Sequence, residues 1–138
     1  MNDVMIDIET LGTGPFSHIL SITAIKFDRE TGKKKGHLYL LIDPESCQKL
    51  DLLIEASTVI WWMKQPDVSR NEFAREDVDR IAIVPALESL SEFISSAVEG
   101  VNIWAQEDCW HWIMRDPVLY KYPFLNVKGR LGLWDYEY

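Results

Sequence analysis

The chain has 138 residues, enough for one domain with a real core, and its 47% apolar and 12% aromatic content fits a globular fold rather than a disordered one. A formal net charge of −8 excludes a module that coats nucleic acid by charge alone, although bound cations reverse the field of an acidic site locally. Cys47 and Cys109 are too few for a disulfide framework and point to a reducing, cytoplasmic setting. The first apolar run contains Asp7 and does not fit a secretory leader, and no window reaches the length of a membrane span.

Val4-Met5-Ile6-Asp7-Ile8-Glu9-Thr10 reads as the first strand. Side chains alternate across a strand, so Asp7 and Glu9 share a face with Met5, and Val4, Ile6 and Ile8 take the other. Neighbouring carboxylates on a core strand repel each other and are costly to desolvate, and a divalent cation with oxygen ligands relieves both costs. The pattern fits either a metal site at the mouth of a sheet or an edge strand carrying two solvated acids. Leu11-Gly12-Thr13-Gly14-Pro15 is turn chemistry. A long strand is expected over residues 18–27, a polar hairpin connector over 28–36, and a third strand over 37–42 closed by Asp43-Pro44. Lys33, Lys34 and Lys35 in the connector are either phosphate contacts or a solvated loop tip.

Residues 45–57 carry no clear period. Ser57 is placed to cap a short helix over 58–64 stopped by Pro66, and Asp67 to cap another running to Phe73. Pro85 suits the first turn of a longer helix whose core face would carry Leu87, Leu90, Ile94 and Ala97, with Gly100 ending it. Residues 101–105 form a fourth strand, expected to lie parallel to the first because a helix precedes it. Asp108 would cap a helix over 109–114, and residues 131–136 read as a fifth strand. No repeat or linker divides the chain, so residues 1–138 are expected to be one domain. Three antiparallel strands followed by two parallel ones, with helices packed on them, make a mixed α/β sheet of the ribonuclease H-like kind; fold alone does not fix chemistry. His18 and His37 begin strands and are expected at the surface.

These residues carry a family resemblance. The run from Val4 to Thr13 resembles the first motif of the DEDD, ribonuclease H-like 3′→5′ exonucleases. Thr58-Val59-Ile60-Trp61-Trp62-Met63-Lys64-Gln65 is similar to a segment of the branch holding phage-type exonuclease A and the mycobacterial 3′→5′ exoribonucleases. The Trp pair, with Lys64 and Gln65, is specific to that branch; the other reading is core tryptophans at a helix–sheet contact, and the two are compatible. The resemblance implies hydrolysis of RNA or DNA from single-stranded 3′ ends with two Mg2+ or Mn2+ ions about 4 Å apart. It implies that Asp7 bridges both ions, that Glu9 binds one and helps place the attacking water, and that Thr10, Leu11 and Gly12, with Trp61 and Trp62, meet the terminal nucleotide.

The match departs from the family further on. Aligned on Trp104, the second-motif Phe-Asp positions fall on Trp110 and His111, and no third motif, with its acid and general-base histidine, precedes Tyr138. The domain is therefore expected to be incomplete at its C-terminus. Two divalent ions bring four positive charges against the two negative ones of Asp7 and Glu9, so at most one ion is expected. Asp108 or His111 is the candidate further ligand, although a neutral imidazole suits manganese or zinc better than magnesium. Cys109 and His111 lack the further ligands of a zinc site. Impaired catalysis is the expectation for this chain, with a catalytically silent protein that binds nucleic acid or a protein partner as the alternative. Loss of the C-terminal helices would uncover Leu131, Leu133 and Trp134, favouring self-association or a protein partner over that face.

Overall fold

The computed structural model describes residues 3–96 and 101–105. Its centre is a four-stranded sheet of β1 (Asp3–Thr10), β2 (Ile19–Phe27), β3 (Lys34–Leu41) and β4 (Asn102–Ala105), in spatial order β3-β2-β1-β4. The β1–β2 and β2–β3 pairs are antiparallel and β1–β4 is parallel, giving the mixed α/β sheet expected. Four helices join β3 to β4: α1 (Pro44–Gln48), α2 (Ala56–Met63), α3 (Asp67–Phe73) and α4 (Ile83–Ser95).

The two faces of the sheet follow from alternation. Ile6 pairs with Ala24 and Ile8 with Ile22, and Val4 pairs with Lys26 on one side and Ile103 on the other. On this face Ile22 joins Ile42, Cys47, Ile83 and Ala86 in a buried cluster, with Leu40 and Leu90 against it. α4 closes the face at its far end with Phe93, 3.4 Å from where a Gly36 side chain would begin and 4.5 Å below the Lys26 ammonium.

Several local expectations are corrected. Leu87 is 47% exposed, and the buried residues of α4 are Ile83 and Ala86. Residues 83, 86 and 90 are as helical in spacing as 87, 90 and 94, and the position of the Ile22–Ile42–Cys47 cluster selects the first set. α1 lies within the stretch that carried no period: Asp43 caps it by accepting from the Glu45 N–H at 3.1 Å, and Pro44 opens it. Glu55, not Ser57, is the N-cap of α2, and Asp67 lies in the first turn of α3, paired with Arg70, rather than at its cap. His18 is buried; His37 is exposed as expected. The expected helix over 109–114, fifth strand over 131–136, and apolar face at Leu131, Leu133 and Trp134 lie outside the described residues, as do Ala97 and Gly100. Among the described residues no helix is long and apolar enough to cross a membrane.

Candidate active site

β1 is an internal strand, paired along its length with β2 and over Asp3 to Ile6 with β4, so the edge-strand reading of its two acids does not hold. The Asp3 carboxylate pins the parallel pair by accepting from the Asn102 amide at 3.1 Å and the Trp104 indole at 3.0 Å. β4 ends where Ala105 pairs with Ile6, one residue short of Asp7. The acids thus stand at the carboxyl end of two parallel strands, where open α/β sheets place their ligand sites.

Asp7 and Glu9 project from the face opposite the Ile22 cluster into a pocket of about 310 Å³. Its floor is the sheet: Asp7 is in register with Thr23 and then Tyr39, and Glu9 with Ser21. Its wall is helical, formed by Trp61, Trp62 and Gln65 from α2 and the turn after it, and by Ser69 and Phe73 from α3. Trp62 meets Trp61 edge-on at 4.9 Å and Phe73 at 4.7 Å. Trp61 is 53% exposed and so is not a core tryptophan, whereas Trp62 is half-buried and serves both packing and pocket.

Among the described residues Asp7 and Glu9 form an acidic pair without a salt-bridge partner. Desolvation raises the pKa of Asp7, opposed by a hydrogen bond from the Ile8 N–H. Desolvation raises that of Glu9 as well, and the charge of Asp7 adds to it. Among the described residues neither carboxylate is ion-paired, and no group of three or more His, Cys, Asp or Glu side chains is placed to hold a metal ion.

The segment after β1 is tied to α2. The Trp62 Nε1–H donates to the Thr10 carbonyl at 2.9 Å, and the Glu55 N–H donates to the Leu11 carbonyl at 2.8 Å. The Leu11 N–H is engaged by the His18 carbonyl at 2.9 Å, so it is not a free donor for a nucleotide, and the side chain is what Leu11 has to offer one. Gly12 is buried where a Cβ would lie 2.4 Å from the Ser17 hydroxyl. Glu55 was not singled out by sequence reasoning, because its partners lie 42 residues away. Asp108 and His111 lie outside the described residues. The lysine run is exposed, and Lys34 precedes Tyr39 by five residues of strand, roughly 16 Å at about 3.3 Å per residue, so it lies at the end of β3 far from the pocket.

Residues 2–128 match the 3'-5' exoribonuclease Rv2179c-like domain. The chain belongs to this family. No curated protein matches it. Membership bears out the expectation of an exonuclease domain, with RNA as the class of molecule on which such a domain acts. Exonucleases of this kind generally use divalent metals, and the paired acids of β1 lie where a hard cation would find oxygen ligands.

Proposed function

We propose that this protein binds the 3′ end of a single-stranded RNA in the pocket between the sheet and α2, and removes terminal nucleotides slowly in a metal-dependent reaction. The observation that carries the reading is the placement of Asp7 and Glu9, side by side on an internal strand, opposite the Trp61–Trp62 wall of one pocket. The donor set suits one Mg2+ or Mn2+ ion. Two carboxylates without a cation partner are relieved of mutual repulsion, and such ions commonly complete their shell with water and substrate phosphate rather than protein. Bound there, the ion would supply activation of a water and neutralisation of charge on the scissile phosphate.

The chain's own residues do the rest. Asp7 and Glu9 would hold the ion at the end of β1, where it would neutralise charge on the scissile phosphate. Trp61, with half its surface open, offers a ring on which the terminal base stacks, an interaction worth about 1–3 kcal/mol. Leu11, on the segment that follows the acids, does not line this pocket, and its contact with the nucleotide rests on the family resemblance alone. The Ser21 and Thr23 hydroxyls and the Gln65 amide line the same pocket and meet sugar or base edge. A volume of about 310 Å³ sits at the small end of ligand pockets and suits a single nucleotide better than a longer stretch of strand.

Slow turnover is proposed from the departure of the second motif, whose Phe-Asp positions fall on Trp110 and His111 when the chain is aligned on Trp104. The same observation favours a second reading, RNA end binding without turnover. A 5′-labelled oligonucleotide, RNA or DNA, incubated with Mn2+, Mg2+ or EDTA separates the two. A Mn2+-dependent ladder of one-nucleotide steps that Asp7→Asn abolishes supports the exonuclease. Retention of intact RNA supports the binding protein. Equal cleavage by wild type and Asp7→Asn refutes the assignment of the site.

A further inference from the structure

We infer that Glu55 is a positioning residue that clasps the turn after β1 to α2 and so sets the distance between the Asp7–Glu9 pair and the Trp61–Trp62 wall. The inference rests on the function proposed above and concerns the same site.

Glu55 makes an unusual set of contacts for an N-cap. It occupies the cap of α2, yet its side chain makes no capping bond to the helix N–H groups. Its carboxylate reaches the segment that follows β1. Oε2 accepts from the Thr13 hydroxyl at 3.0 Å, and the neighbouring Thr13, Gly14 and Thr58 donors hold the carboxyl below the usual range. The Glu55 N–H donates in the opposite sense to the Leu11 carbonyl, so one residue grips the turn through both main chain and side chain.

A second grip lies two helical turns on, where the Trp62 indole donates to Thr10 O. Seven residues of helix separate the two grips, about 10 Å at about 1.5 Å per residue, so residues 10–14 lie along α2 rather than touching it once. The fit leaves no slack: a side chain at Gly12 would meet Ser17 Oγ at 2.4 Å and Glu55 Cδ at 3.2 Å. Thr10 continues the strand that carries Asp7 and Glu9, and Trp62 belongs to the aromatic wall. The clasp therefore couples acids and wall as a single body. Releasing its Glu55 end leaves both sets of groups intact while loosening their mutual spacing.

The test uses the full chain and reads two affinities separately. Adenosine 5′-monophosphate, in the presence of Mn2+, is titrated against tryptophan fluorescence, and Mn2+ alone is titrated by electron paramagnetic resonance. Glu55→Ala is expected to weaken nucleotide binding about tenfold, the equivalent of about 1.4 kcal/mol, and to leave Mn2+ affinity within about twofold of wild type. Glu55→Gln, which keeps one acceptor oxygen, is expected to fall between. Asp43→Ala removes the cap of α1, a comparable structural lesion away from the pocket, and is expected to leave nucleotide affinity unchanged. A folded Glu55→Ala protein with wild-type nucleotide affinity overturns the inference. A parallel loss of Mn2+ and nucleotide affinity also overturns it, because the lesion is then general. Wild-type protein that binds neither Mn2+ nor nucleotide refutes the proposed function and this inference with it, whereas the first two outcomes leave that function standing.

Discussion

Neutralising Asp7 is expected to stabilise the metal-free protein while removing its response to metal. Asp7 and Glu9 are two residues apart on β1, about 6.6 Å at about 3.3 Å per residue. Two unit negative charges at that separation repel by about 0.6 kcal/mol in bulk water and about 2.5 kcal/mol at an effective dielectric constant of about 20. Both carboxylates retain contact with water, so a discounted figure of about 1 kcal/mol is appropriate. Asp7→Asn keeps an oxygen to accept the Ile8 N–H and loses only the charge. For a chain of this size about 1 kcal/mol corresponds to a rise of roughly 3–5 °C in melting temperature. The sign has a pH signature. Both acids have pKa values raised by burial, so their charged forms oppose folding above those raised values, and the opposition disappears as pH falls towards the unfolded-state values. The advantage of Asp7→Asn should therefore be full near pH 8 and vanish on acidification, where the wild-type carboxyls are protonated. Mn2+ at about a hundred times its dissociation constant should stabilise wild type by about 2.7 kcal/mol and the variant hardly at all. Calorimetric melts with EDTA and with Mn2+ read both effects. An apo variant that melts below wild type, or one that keeps the Mn2+ shift, would refute the reasoning that these acids form an unpaired cation site.

Trp62→Phe keeps a ring between Trp61 and Phe73 but loses the indole donor to Thr10, and should lower stability by about 1 kcal/mol in urea melts. Gly12→Ala forces a methyl against the Ser17 hydroxyl and should cost about 1–3 kcal/mol; adding Ser17→Ala should recover part of that loss, a coupling measurable as a double-mutant cycle. His18 is buried with Nδ1 unpartnered among the described residues, and burial holds its pKa below 6.5. The unfolded chain therefore takes up the proton first, so this group withdraws stability as pH falls below about 6.5. His18→Leu should flatten that part of the stability profile relative to wild type when urea midpoints are compared at about pH 5 and about pH 7.5.

How far the sequence foretold the structure depended on how local each signal was. Strand alternation is set by adjacent residues, and it located β1 and β2 and put Asp7 and Glu9 on one face. The parallel pairing of β4 was legible because the chain rule for crossovers needs only the order of elements. α1 was missed because five residues are too short for a helical period, and its one signal, Asp43-Pro44, serves equally as a strand stop and as a cap with its first helical residue. The face of α4 was misjudged by one helical position because apolar residues at 83, 84, 86, 87 and 90 support two faces, and only the cluster across the sheet chooses between them. The burial of His18 and the reach of Glu55 to Thr13 depend on segments brought together from far along the chain, and no window of sequence contains them. The N-cap shift belongs to the same class: Ser57 is the better intrinsic cap, but Glu55 is held by the turn across from it.

Charge sets the order of events at such a site. With a net charge of −8, and with its three consecutive lysines at the far end of β3 from the pocket, the described residues that line the pocket include no lysine or arginine to attract a phosphate backbone. Lining side chains that carry charge, Asp7 and Glu9, repel RNA in the apo state. Counterion release, which dominates the affinity of basic RNA binders and makes it fall steeply with salt, has little to act on here. Affinity must come from stacking on the tryptophan wall and from the cation that converts two acids into a phosphate site. In the proposed site a cation would therefore bind before RNA, and the stacked base would fix which phosphate it meets. This is why the spacing between β1 and α2 matters more in this protein than the strength of either contact alone. A strong ring and a strong ion at the wrong separation would hold a nucleotide with its phosphate out of reach.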